Sequence, residues 1–115
     1  MFTRVVEITS KAGKARDLAR TVSEKVLTIL KNQPGFMDEI TLVSDEDPNR
    51  IVAISFWKSK EHADAYNRDQ FNKVTETISN QIEGTPRVRT FEVETSTVHN
   101  IAAGKAASMS LLWSS

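Results

Sequence analysis

The hydrophobic period of the chain changes several times, and each change marks an element. Residues 2–9 (FTRVVEIT) are rich in Val, Ile, Phe and Thr and predict a strand. Ser10-Lys11-Ala12-Gly13 breaks it. From Lys14 the apolar positions recur at helical spacing, and Ala15, Leu18, Ala19, Val22, Val26, Ile29 and Leu30 form one stripe. Arg16, Arg20, Glu24, Lys25 and Lys31 mostly take the other side. Pro34-Gly35 ends the helix, since proline cannot continue it and glycine accepts positive φ. A second strand over 36–44 (FMDEITLVS) leads to an acidic turn at 45–49 (DEDPN). The third strand, Ile51–Trp57, is apolar at nearly every position, so both of its faces want cover.

In the second half, Ser59 is placed to cap a short helix through Tyr66. Asp69 is placed to cap another, with Phe71, Val74, Thr75, Ile78 and Ile82 as its stripe. Gly84-Thr85-Pro86 ends that helix, and Val88–Glu94 reads as the fourth strand. The order β-α-β, β-α(α)-β forms two similar halves without a sequence repeat. It predicts an α+β, ferredoxin-like βαββαβ domain over residues 1–95, with helices on one face of a four-stranded antiparallel sheet. Residues 96–115 differ: a small, polar stretch ends in Met109, Leu111, Leu112 and Trp113. This C-terminal extension is expected to dock on its own domain or on a partner.

Helices cover only one face of such a sheet. The other face takes one alternate set of the third strand, either Val52, Ile54 and Phe56 or Ile51, Ala53 and Trp57. Neither set is polar, and a contiguous apolar patch in water marks an interface. The expected cover is the same face of a second copy, a homodimer with two four-stranded sheets face to face in a closed or nearly closed barrel. The alternative is a monomer whose tail folds over that face.

Composition narrows the chemistry. At 115 residues the chain is expected to form one domain. It has no cysteine, which excludes disulfides, thiolate zinc sites, iron–sulfur clusters and a cysteine nucleophile. Lys+Arg and Asp+Glu both count 15, so no basic excess favours nucleic acid. No run approaches the roughly 20 apolar residues of a membrane span. The first residues read as a strand, without the apolar core of a signal peptide, and a cytoplasmic location is expected. There is no glycine-rich phosphate loop, G-x-S-x-G elbow or dinucleotide fingerprint.

Four features occur together: SKAGK before an amphipathic helix, QPGF at 33–36, ISFWKSKEHADAY at 54–66, and a closing strand VRTFEVE. With Phe56-Trp57-x-Ser59-x-Glu61-x-x-Ala-x-x-Tyr66 as its most specific piece, the chain resembles the antibiotic biosynthesis monooxygenase domain family over residues 2–95. The resemblance implies a small dimeric α/β barrel. It also implies a cofactor-independent monooxygenase acting on a small aromatic, phenolic or quinol-like molecule, with no cofactor and no metal. The alternative is a non-catalytic, small-ligand-binding or stress-related protein on the same fold. The haem-degrading branch of that family uses an Asn on the first strand, a Trp on the second-half helix and a His further on. Those positions here hold Arg4, Tyr66 and Thr75, and a threonine cannot ligate haem iron as an imidazole does.

Eight residues are candidates for a site. His62 and Tyr66 stand at i and i+4 on one helix, so a phenolic substrate can meet both, with His62 as its base. The plainer reading is an exposed first-turn histidine and a packed tyrosine. Arg4 interrupts an apolar strand; facing the helices it pairs with a phenolate or carboxylate, and facing out it is a solvated edge residue. Trp57 is either a core aromatic or a pocket wall. Asn67, Phe71 and Thr75, with Asn72 beside them, are candidate substrate contacts. His99 has no partner in sequence, and the two histidines show no metal-ligand spacing.

Overall fold

In the computed structural model, which describes residues 1–99, the chain opens with β1 (Phe2–Ser10), α1 (Ala15–Thr21), a π-helical turn (Val22–Val26) and α2 (Leu27–Lys31). It continues through β2 (Phe36–Val43), β3 (Arg50–Trp57), α3 (Lys60–Asp69), α4 (Phe71–Ile78), a 3-10 turn (Ser79–Gln81) and β4 (Ile82–Glu92). The strands form one antiparallel sheet in the order β2-β3-β1-β4. This is the ferredoxin-like α+β arrangement. The docking expected of Leu111, Leu112 and Trp113 lies outside the described residues.

Helical segments α1, the π turn and α2 follow without a break, and Leu18, Val22, Val26 and Leu30 are buried. These residues repeat every four positions, which on a helix of 3.6 residues per turn drifts by about 40° at each step. The wider π turn takes up that drift and keeps all four on the sheet. Pro34-Gly35 then reverses the chain, with Gly35 at φ +79°.

The remaining elements differ from expectation at their ends. Helix α3 runs past Tyr66 to Asp69. Ser59 caps it as expected, accepting from the His62 backbone N–H. Asp69 does not cap α4; Gln70 holds that place without a side-chain bond, and the Asp69 carboxylate takes the Arg68 guanidinium at 2.9 Å. Strand β4 starts at Ile82, six positions before the expected Val88, so Gly84 and Pro86 lie inside it. An edge strand tolerates proline. Gly84, at φ +66°, sits opposite a register shift between Glu7 and Thr9, the mark of a bulge.

The core lies between the helices and one sheet face, with Leu18, Ile51 and Trp57 wholly enclosed. Ile51, Ala53, Ser55 and Trp57 face the helices. Val52, Ile54 and Phe56 therefore face the open side, flanked by Ile40, Leu42 and Phe91 at 43%, 48% and 50% exposure. The described start of the extension touches this side, where the His99 ring lies 5.0 Å from that of Phe56. Among the described residues no helix is long and apolar enough to cross a membrane.

Candidate active site

One polar row crosses the apolar, helix-facing side of the sheet. Glu39 on β2, Ser55 on β3 and Arg4 on β1 are register neighbours. Above this row stand Tyr66 from α3, Phe71 and Val74 from α4, and Val22 and Val26 from the π turn. Together they enclose a cleft with about 40 Å³ open to the centre of a water-sized sphere and about 510 Å³ of empty space when the solvent at its opening is included. A dry cavity that takes a benzene ring is roughly 150 Å³. The enclosed part of the cleft is therefore too small for an aromatic ring unless side chains move.

Arg4 is 2% exposed. Its Nη1 donates to Asn67 Oδ1 at 2.8 Å, while Nε and Nη2 are buried without a hydrogen-bond partner among the described residues. The guanidinium carbon stands 4.6 Å from the Phe71 ring centroid and 5.2 Å from that of Tyr66. Among the described residues no carboxylate lies within 4.0 Å of it, and aromatic faces and one amide carry the whole of its compensation. Burial pulls its pKa below the ordinary value, against the opposing pull of Tyr66 and Asp64, and an arginine nevertheless stays protonated in a protein. A buried cation with unmet donors is costly, and an anionic ligand removes that cost.

Tyr66 is buried, and desolvation pushes its hydroxyl up to about 12, with Arg4 pulling it down and Glu39 adding to the rise. At neutral pH it is a phenol, a donor and not a base. Burial likewise raises Glu39, helped by Asp38 and opposed by the Thr41 hydroxyl, which donates to its Oε2 at 2.8 Å. Among the described residues that line the cleft, Glu39 supplies the carboxyl group, and burial makes it a stronger base than an exposed glutamate.

The structure divides the sequence candidates. Arg4, Tyr66 and Phe71 meet in the cleft, and Asn67 reaches it from the surface to hold Arg4. His62 does not line it. Its Nδ1 lies 2.7 Å from Ser59 Oγ, and with Tyr66 it opens on a separate groove beside Gln33, Pro34 and Gln70. Its ring packs against the turn, where a Cβ on Gly35 would stand 2.2 Å from the His62 Cγ. Trp57 is a core aromatic: its Nε1 donates to Ser55 Oγ at 2.9 Å, and its ring lies 5.0 Å from that of Tyr66. Thr75 donates to the Asn72 carbonyl at 2.9 Å and lines a shallow outer groove beside Phe71 and Pro86. Among the described residues no group of three or more His, Asp or Glu side chains is placed to hold a metal.

Glu39 was not among the candidates. An acid in an alternating strand (MDEITLV) reads as solvent-facing, and only the register against Ser55 turns Glu39 inward.

Residues 1–77 match the family model described as antibiotic biosynthesis monooxygenase. No curated protein matches the chain. Among solved structures it is similar to a monooxygenase from the ActVA-Orf6 gene of Streptomyces coelicolor, in complex with nanaomycin D, with TM-score 0.71 and 18% identity over 83% of this chain and 88% of that one. It is similar to SnoaB, a cofactor-independent oxygenase from Streptomyces nogalater, with TM-score 0.69 and 17% identity over 83% and 94%. A conserved protein from Methanosarcina mazei shares the fold at TM-score 0.64, with 18% identity over 80% and 92%.

Proposed function

The chain belongs to the antibiotic biosynthesis monooxygenase family, and from that premise we propose that it is a cofactor-independent monooxygenase acting on a small aromatic, phenolic or quinol-like substrate. The observation that carries this reading is Arg4, a buried cation with two unmet donors in an apolar, aromatic-walled cleft. Such a cleft favours the anionic form of a phenol over the neutral one. Glu39 accepts the phenolic proton, and Arg4 holds the oxyanion. The electron-rich ring passes one electron to dioxygen, and the radical pair joins as a carbon–oxygen bond to a hydroperoxide. Loss of water leaves a quinone, so one oxygen atom enters the product and the other leaves as water. Tyr66 and Phe71 wall the reaction from solvent.

The open sheet face belongs to the same reading. Val52, Ile54, Phe56, Ile40, Leu42 and Phe91 form an apolar face that a second copy covers, completing a dimeric barrel.

Binding without turnover is the second reading, favoured by the narrowness of the cleft, about 40 Å³. Oxygen uptake against a panel of phenols and quinols separates the two. Uptake with release of a quinone, abolished by Arg4→Met, supports the oxygenase; saturable binding with no uptake across the panel supports the binding protein.

A further inference from the structure

The guanidinium of Arg4 has three edges, and the structure occupies one of them. Nη1 is taken by Asn67 at 2.8 Å. The two unpartnered atoms are Nε and Nη2. Nη2 lies trans to Cδ across the guanidinium plane, so its inner N–H runs parallel to the N–H of Nε. The vacant edge is therefore the side-on fork, two parallel donors at the spacing of two oxygens on one planar group. Phe71 and Tyr66 hold the group by its faces at 4.6 and 5.2 Å, and it is 2% exposed, so the fork is fixed in place rather than swinging in water. A single oxyanion would satisfy one of these donors and leave the other buried and unmet, at the usual cost of such a group.

We propose that the ligand of this cleft is a planar anion presenting two oxygens on one side, held edge-on by Nε–H and Nη2–H of Arg4. An aromatic carboxylate has this chemistry, and so does an enolate or phenolate with a neighbouring carbonyl oxygen. The proposal deepens the oxygenase reading and takes from it only that the cleft is the ligand site. Asn67 is a positioning residue: by taking Nη1 it fixes the guanidinium and leaves Nε–H and Nη2–H unpartnered among the described residues.

Calorimetric titration of the full chain at pH 8 tests it with three probes of one ring size. These are 1-naphthoate (a carboxylate), 2-hydroxy-1,4-naphthoquinone (an enolate with an adjacent carbonyl) and 1-naphthol (one oxygen). At least one two-oxygen anion is expected to bind roughly tenfold or more tightly than 1-naphthol, and which of them does so identifies the source of the oxygens. Arg4→Lys keeps the charge but offers a point donor, and is expected to remove the preference. Should Arg4→Lys fail to fold, Asn67→Ala serves instead, since it leaves Arg4 in place and is expected to weaken the two-oxygen probe more than 1-naphthol. Equal binding of all three probes, or an unchanged preference in a folded Arg4→Lys or Asn67→Ala variant, overturns the proposal. Oxidation of simple phenols with no preference for two-oxygen anions also overturns it while leaving the oxygenase reading intact. Tight binding of the two-oxygen anions with no oxygen uptake by any phenol does the reverse.

Discussion

If Arg4 is held for a ligand, the ligand-free protein should gain stability when it is removed. Arg4→Met is the test, because methionine fills much of the same volume and carries no donor. Two buried guanidinium nitrogens without partners cost about 1–3 kcal/mol each. Against that, the substitution forfeits the bond to Asn67, about 1.5–3 kcal/mol for a charged donor. It also forfeits the approach to Tyr66 and Phe71, together about 1–3 kcal/mol. At mid-range these contributions nearly cancel. What remains is the desolvation of the cation itself, which methionine escapes and which is worth several kcal/mol for an isolated ion. Part of that is lost to the small cavity that methionine leaves. We expect a net gain of about 1–2 kcal/mol, or a Tm higher by roughly 4–8 °C for a domain of this size. Calorimetric melting of wild type and variant without ligand measures it, and a second melt with 1-naphthoate should show a ligand-induced rise in the wild type alone. A variant Tm below that of wild type refutes the reasoning, since it would mean that Arg4 is on balance a structural residue.

Three further predictions concern other parts of the molecule. The chain has one tyrosine, so absorbance of the phenolate reports Tyr66 alone; its midpoint should lie near about 12, and Arg4→Met should move it higher by removing the nearby cation. Because the folded value stands above the ordinary 10.0, the associated stability is complete below pH 10 and lost between there and about 12, so a midpoint at 10 in folded protein contradicts the burial of Tyr66. Gly35→Ala meets both the His62 ring and a φ of +79°, and should cost about 2 kcal/mol or more; adding His62→Ala should restore part of it, while His62→Ala alone should leave oxygen uptake within about twofold. Light scattering should give the mass of two chains, and Ile40→Lys with Leu42→Lys on the open face should give one; a wild-type monomer removes the barrel.

Much of the fold was legible because it follows from hydrophobic period. The stripe from Ala15 to Leu30 identified the first helix, and the four-residue steps within it already held the reason for the π turn. The two-sided apolar character of Ile51–Trp57 identified the central strand, though not which set faces the helices; that depends on Arg4 pairing with Ser55 and Ile8 with Ile51. The ends were less legible. Gly84 and Pro86 look like a terminator in sequence, yet at a sheet edge beside a bulge the same residues continue the strand. Asp69 looks like a cap, yet Arg68 beside it is the stronger partner for its carboxylate.

The site was legible only in part, because its chemistry comes from register rather than from spacing along the chain. Arg4, Tyr66, Phe71 and Asn67 were candidates as breaks in an apolar strand and as neighbours on a helical segment, and they do meet. His62 was a candidate because it stands one turn from Tyr66, but one turn also carries it past the end of the sheet, where the Gly35 turn takes up its ring. Glu39 was missed because an edge strand with alternating residues is ordinarily read with its polar set outward. Here Ile40 and Leu42 face out and Glu39 and Thr41 face in, the inversion expected when the outer face meets another protein surface and the inner one a polar ligand. The same inversion therefore accounts for both readings of β2. The strand exposes aliphatic side chains on the face proposed for a second copy, and it carries the cleft's carboxyl group two strands away from Arg4, with Ser55 between them.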